Sequence, residues 1–224
     1  MSFVVAIDGP AGSGKGTITK LVGNKLGLVY IDTGAMYRCV TLKALRNKIS
    51  STEIEKMEDL VENISIEMKK EGEKQLVFLD GEDVSAEIRS TKVDEHVAKY
   101  AALACVRNKM TPLQRKMGEK GNIIMEGRDI GTAVFPNADV KIYLDASIEE
   151  RAKRRYQQDL EKGMEVTYEE ILESMKQRHK LETQREIAPL RQADDAIYLD
   201  STHLSIEQVI EKVIEIINEK REEQ

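Results

Sequence analysis

The chain has 224 residues, with 34 Lys and Arg against 40 Asp and Glu, a formal balance of −6. At roughly 150 residues per domain, this is one large domain or a core with an insert, long enough to bury its core without disulfide staples. No apolar run approaches the ~18 residues of a membrane span, the start MSFVVAIDGP lacks the lead of a secretory signal, Cys39 and Cys105 form no CxxC pair, and an acidic chain with 4% aromatics disfavours a broad nucleic-acid surface.

In chain order, the first apolar run, Phe3–Ile7, reads as a buried strand and ends in Asp8-Gly9-Pro10. A second, Leu28–Ile31, ends in Asp32-Thr33-Gly34. Residues 53–63 then form a short helix, and 65–69 and 75–80 have strand character with turns at Glu71-Gly72 and Asp80-Gly81-Glu82, which suggests a small antiparallel insert. Further buried strands are expected at Asn122–Met125, Val140–Leu144 and Ala196–Leu199. Apolar strands alternating with helices are the pattern of a parallel sheet covered on both faces. Helix starts are marked by Ser147…Glu150, Thr167…Glu170 and Ser205…Gln208, the spacing of a capping box. After Ser205 the apolar stripe Ile206, Val209, Ile210, Val213, Ile214, Ile217 predicts a C-terminal helix packed on the sheet, and 219–224 reads as a frayed end.

Between the first strand and its helix lies Gly9-Pro10-Ala11-Gly12-Ser13-Gly14-Lys15-Gly16-Thr17. Small residues let the backbone wrap its N–H groups around phosphates, the helix N-terminus adds partial positive charge, and Lys15 adds a full one. The run fits G-x-x-x-x-G-K except that Gly16 stands where Ser or Thr usually sits, with Thr17 next. Such a loop implies triphosphate binding but not a reaction. A second positive group answers that. Arg38 follows the second strand, and Arg128, in Gly127-Arg128-Asp129, follows the third. Ligands on open α/β sheets bind outside these carboxyl ends. Arg107 falls in a helix, and Arg185 precedes Ile187-Ala188-Pro189-Leu190. Arg151, Arg154 and Arg155 lie three and four apart on a helix, where they suit a lid that closes guanidinium groups onto a transferring phosphoryl. His96, His179 and His203 have no metal-ligand spacing.

Together these residues resemble the bacterial cytidylate kinases, a family of nucleoside monophosphate kinases. The resemblance runs in order through Ile7–Thr17, Asp32-Thr33-Gly34-Ala35-Met36-Tyr37-Arg38, Leu79-Asp80-Gly81-Glu82-Asp83-Val84 with Ile88-Arg89, and Val106-Arg107. It continues through Gly127-Arg128-Asp129-Ile130-Gly131-Thr132-Ala133-Val134-Phe135-Pro136, Lys141–Ser147, Arg185 with Ala188-Pro189-Leu190, and Leu199-Asp200-Ser201-Thr202. It implies an α/β fold of the P-loop NTPase type: a parallel five-stranded sheet flanked by helices, an antiparallel insert in the monophosphate-binding region and a helical lid. One kinase domain would then have a core at about 1–34, 105–148 and 184–224, the monophosphate region at 35–104 and the lid at 149–183.

The reaction implied is transfer from ATP, with Mg²⁺, to CMP or dCMP. Residues 9–17 would hold ATP, and Lys15, Arg128, Arg151, Arg154 and Arg155 would act on the transferring group. Thr33, Tyr37, Arg38, Arg107, Arg128, Asp129, Arg178, Glu182 and Arg185 would surround the acceptor. Asp129 would accept from the cytosine amino group or hold the neighbouring arginine. The family's Arg-Asp-x-x-Asp-x-x-Arg reads here Arg178-His179-Lys180-Leu181-Glu182-Thr183-Gln184-Arg185, and a frequent Ser is Ala98. These departures touch base and sugar recognition. The protein is expected to be a cytoplasmic monomer with no metal site built from its own side chains, no membrane association and no stable nucleic-acid partner. A kinase for UMP, AMP or a cofactor precursor, and a non-catalytic P-loop module, are the alternatives.

Overall fold

The computed structural model describes residues 3–72, 74–119 and 121–223. Chain contacts gather into two compact units, Met1–Asp32 with Arg115–Gln224, and Thr33–Gln114.

The first unit is built on five parallel strands: β1 (Val4–Asp8), β2 (Val29–Asp32), β6 (Ile123–Gly127), β7 (Val140–Asp145) and β8 (Ile197–Asp200). Their order is β2-β6-β1-β7-β8. β1 and β6 are buried at every position and β7 at all but Asp145. Of the outer strands, each with a neighbour on one side only, β8 is largely exposed and β2 is partly buried, with Ile31 inside. The expectation of continuous burial therefore holds for the central three strands.

One face of the sheet is closed by α1 (Lys15–Leu26) and α8 (Ile206–Glu222). Ile18 and Val22 of α1, and Val209, Ile210, Val213 and Ile217 of α8, pack with Val5, Ile7, Ile124, Ile142 and Leu144 in one core. Alternate strand residues meet helix residues spaced three and four apart, so each element contributes one face. The α8 helix continues through Glu222, beyond the expected fraying point; Gln224 lies outside the described residues.

The unit is completed by α6 (Ile148–Glu161) and α7 (Tyr168–Gln184). Thr167 and Ser205 form reciprocal capping boxes on α7 and α8. Ser147 forms only half of one: its hydroxyl accepts from the Glu150 N–H at 3.2 Å. The Ser147 N–H is already satisfied by Thr202 Oγ1 at 2.9 Å, and the Glu150 carboxylate turns to Arg154 at 3.0 Å.

In the second unit, α2 (Thr33–Arg46), α3 (Ile54–Glu62) and α4 (Thr91–Ala101) accompany β3 (Ile66–Glu71), β4 (Lys74–Leu79) and β5 (Glu82–Asp83), which form an antiparallel sheet in the order β3-β4-β5. The short β5 is an addition to the two expected strands. It follows from the turn at Asp80-Gly81, where φ is 50° and 87° and the Asp80 carboxylate accepts from the Ser65 N–H. Met36, Val40, Met57, Val77, Ile88, Val93 and Met110 are buried in this unit. Helix α5 (Ala104–Gly118) ends the unit and runs on into the first. No helix among the described residues is long and apolar enough to cross a membrane.

Candidate active site

Counting only the parallel strands, their order reverses at β1, and the 9–14 loop leaves its carboxyl end there. The loop needs glycine at Gly12 and Gly14, whose φ values are 80° and 90°. Lys15 opens α1 and is buried. Its Nζ donates to Pro10 O at 2.7 Å and Ser13 Oγ at 3.3 Å. Burial, helped by the nearby Arg128 charge, pulls its pKa down to about 7.

Gly16, the departure from the usual P-loop, has a physical reason in the fold. A Cβ at this position would stand 3.0 Å from Glu126 Oε1. Glu126 is a buried residue near the end of β6, and its Oε1 accepts from the Tyr30 hydroxyl at 2.5 Å. Burial, with the Asp32 charge next in weight, raises its pKa to about 7. The carboxylate takes the space that a Ser or Thr side chain would need. Sequence reasoning missed Glu126 and Tyr30; the available signal was a strand-end carboxylate directly before Gly127-Arg128.

Beside the loop, the structure gathers five expected residues of the first unit. Arg128 Nε lies 3.1 Å from Glu182 Oε2, and Arg178 Nε donates to Glu182 Oε1 at 3.0 Å. Burial of Glu182 opposes ionisation, but Arg128 and Arg178 outweigh it and hold the carboxyl at about 2. Arg185 Nη2 donates to Asp129 Oδ1 at 3.2 Å, and its Nε to Ala188 O at 2.7 Å. Glu182 thus bridges two arginines, and Asp129 holds a third.

The α6 arginines do not share one target. Arg151 is buried and donates to Ala146 O and to Ala11 O of the loop, both at 3.0 Å. Arg154 donates to Ser13 O at 3.4 Å, Ser201 Oγ at 3.2 Å and Ser201 O at 2.7 Å. Arg155 turns to the buried Asp159, at 2.8 Å. The expected lid segment is therefore seated on the P-loop: a Cβ on Gly12 would meet Met175 Cε at 2.7 Å and Arg151 Cβ at 3.0 Å.

The other expected residues belong to the second unit. Thr33 and Tyr37 are buried on α2. The Arg107 guanidinium lies 5.3 Å from the Tyr37 ring centroid and donates to Ala101 O at 3.2 Å. Arg38 donates to Asp94 Oδ1 at 2.5 Å and Ile88 O at 3.3 Å. Among the described residues, no three His, Cys, Asp or Glu side chains group as a metal site.

This arrangement can do two things chemically. It can cradle a polyphosphate at a helix N-terminus with a buried lysine, and it can grip a second anion with carboxylate-braced guanidinium groups. Comparison with known proteins agrees. The family model for cytidylate kinase matches residues 5–219. Cytidylate kinase from Bacillus subtilis (strain 168) is 46% identical over 216 residues, covering 96% of each chain. That from Fusobacterium nucleatum subsp. nucleatum is 49% identical over 209 residues, covering 93% of this chain and 94% of the relative. Among solved structures, a protein from Eubacterium ventriosum ATCC 27560 aligns with TM-score 0.53 at 12% identity, covering 98% of this chain and 99% of that one. Shikimate kinase from Acinetobacter baumannii in complex with shikimate aligns with TM-score 0.50 at 13% identity, covering 98% and 94%. At such identities these structures speak for the fold alone, whereas the sequence relatives cover almost every residue that builds the site, and the chain belongs to the cytidylate kinase family.

Proposed function

We propose that the protein transfers the γ-phosphoryl group of ATP to CMP or dCMP, yielding ADP and CDP or dCDP. An acceptor phosphate oxygen forms the new P–O bond as the bond between the γ-phosphorus and its bridging oxygen breaks, and the electron pair leaves on ADP. Such transfer asks a protein for alignment and charge neutralisation rather than for a nucleophile of its own. The observation that carries the reading is the pairing of the Lys15 loop with the Arg128–Glu182–Arg178 and Arg185–Asp129 groups in one unit.

Lys15 is assigned to the donor phosphates, and the backbone of residues 9–17 to their cradle. Arg128 and Arg185 are assigned to the acceptor phosphate; for Thr33, Tyr37, Arg38 and Arg107 the match to the family's motifs supports a role in acceptor binding. Arg151 and Arg154 hold the loop's carbonyls turned away from the phosphates, so that its N–H groups face inward. Arg155 is the lid arginine for the transferring group.

Mg²⁺ fits the residues present. They offer one buried carboxylate at Gly16, from Glu126, and the exposed Thr17 hydroxyl, a partial set that suits a cation keeping phosphate and water ligands. When bound, the ion supplies neutralisation of phosphate charge. The protein acts as a monomer in the cytoplasm.

The test is an ADP-release assay across CMP, dCMP, UMP and AMP, with ATP as donor. CMP and dCMP are expected to drive turnover best. Turnover best driven by another monophosphate would replace the substrate assignment, and ATP binding without acceptor-dependent turnover would make the chain a binding module.

A further inference from the structure

We infer that Asp8 is a positioning residue for the acceptor loop, capping the turn after Asp129 from a different strand. Asp8 is the last residue of β1, directly before the P-loop, and it is buried. Its Oδ1 accepts from the Ile130 N–H at 2.8 Å and its Oδ2 from the Gly131 N–H at 2.7 Å.

Those two donors open the single helical turn Ile130–Val134, whose N-cap residue is Asp129. First-turn N–H groups have no intrahelical partner, and an N-cap Asp ordinarily satisfies one with its own side chain. Here the Asp129 side chain makes no such bond. It accepts from Arg185 instead, at 3.2 Å. Asp8 takes over the capping, and that substitution releases the Asp129 carboxylate to hold an acceptor arginine.

The arrangement is specified by the sheet. Asp8 pairs in register with Gly127 of β6, so the carboxylate stands beside the strand from which Arg128 and Asp129 emerge. Glycine at 131 leaves room for Lys141, whose Cδ would lie 3.2 Å from a Cβ there, while Asp8 Oδ2, at 3.5 Å, would stay in ordinary contact. The cost of keeping Asp8 ionised is visible. Burial lifts its pKa to about 6 even though both N–H groups pull it back. A carboxylate kept at such cost, with both oxygens spent on one turn, ties the donor strand to the acceptor loop.

The inference rests on the assignment of Arg128 and Arg185 to the acceptor, and the experiment separates the two. Asp8→Asn keeps one acceptor oxygen and sets an amide N–H against the other donor; Asp8→Ala removes both acceptors. KM for CMP is measured by ADP release, ATP affinity by equilibrium titration without acceptor, and folding by thermal melting, with Arg128→Ala in parallel.

KM for CMP is expected to rise about 10-fold in Asp8→Asn and further in Asp8→Ala, the scale of one unsatisfied buried donor, while ATP affinity stays within about 2-fold. If Asp8→Ala does not fold, the isosteric Asp8→Asn decides alone. An unchanged CMP KM in folded Asp8→Asn, or an equal loss of ATP affinity, overturns the role of Asp8. If Arg128→Ala also leaves the CMP KM unchanged, the acceptor assignment itself falls.

Discussion

Gly16→Ser would restore the residue usual in P-loops, and the structure says that it harms this one. The new Cβ would meet Glu126 Oε1 at 3.0 Å, tighter than ordinary van der Waals contact. The carboxylate cannot simply withdraw, because the same oxygen accepts from Tyr30 at 2.5 Å within a buried site. Overpacking of this kind costs about 1–3 kcal/mol, and the better helix propensity of Ser over Gly returns about 0.5 kcal/mol. The net loss is about 0.5–2.5 kcal/mol, which for a chain of this length lowers Tm by roughly 1–10 °C. Glu126→Asp draws the carboxylate back by one methylene. The double variant is therefore expected to recover at least half of the Gly16→Ser loss, a coupling that a double-mutant cycle in urea measures directly. Additive losses, or a Gly16→Ser protein as stable as the parent, would refute the claim that Glu126 is why glycine stands there.

Two further predictions concern buried charge. Lys15→Met should abolish turnover yet stabilise the free protein. Lys15 titrates at about 7 in the fold against 10.5 unfolded, so its cost is complete below pH 7 and fades as pH rises toward 10.5; melting temperatures should show the gain at pH 6 and its loss by pH 10, and a less stable Lys15→Met at pH 6 would contradict it. Glu182→Gln should have the opposite pH dependence. The carboxyl, at about 2 against 4.5, contributes about 3 kcal/mol above pH 4.5 that is lost as pH falls toward 2. Urea midpoints of the two proteins should therefore converge from pH 7 to pH 3, and a pH-independent gap would remove the ion pairs from the account.

The sequence discloses what is local. Asp8, Asp32, Asp145 and Asp200 end apolar runs, and all four end parallel strands in the structure. The glycines and lysine of the P-loop, the Thr167 and Ser205 boxes, and the α8 stripe are likewise short-range signatures whose geometry follows from their spacing. What stays hidden depends on register between distant segments. Asp8 caps a turn 122 residues away, and Gly16 is dictated by a side chain on β6. Helical spacing places Arg151, Arg154 and Arg155 on neighbouring positions, but it cannot say that two of them bind loop carbonyls while the third meets Asp159. The half-formed Ser147 box has the same origin, since its missing half is supplied by Thr202.

The acidic balance of −6 also changes meaning once the contacts are known. Of the arginines assigned to nucleotide handling, Arg38 is braced by Asp94, Arg128 by Glu182, Arg185 by Asp129, Arg154 by Glu150 and Arg155 by Asp159. A buried guanidinium without a counter-charge costs several kcal/mol, so a phosphate site built from arginines alone would strain the free protein. A carboxylate uses one or two of the five guanidinium donors and leaves the fork oriented for a phosphate. Each pair thus trades raw attraction for a fixed geometry, and fixed dipoles and charges stabilise a transition state because they need not reorganise. Such a site keeps carboxylates beside its arginines, and one of them, Glu182, serves two. An anion-handling enzyme built this way has no reason to be basic overall, and truncating a bracing carboxylate should damage acceptor binding even where that carboxylate never touches the nucleotide.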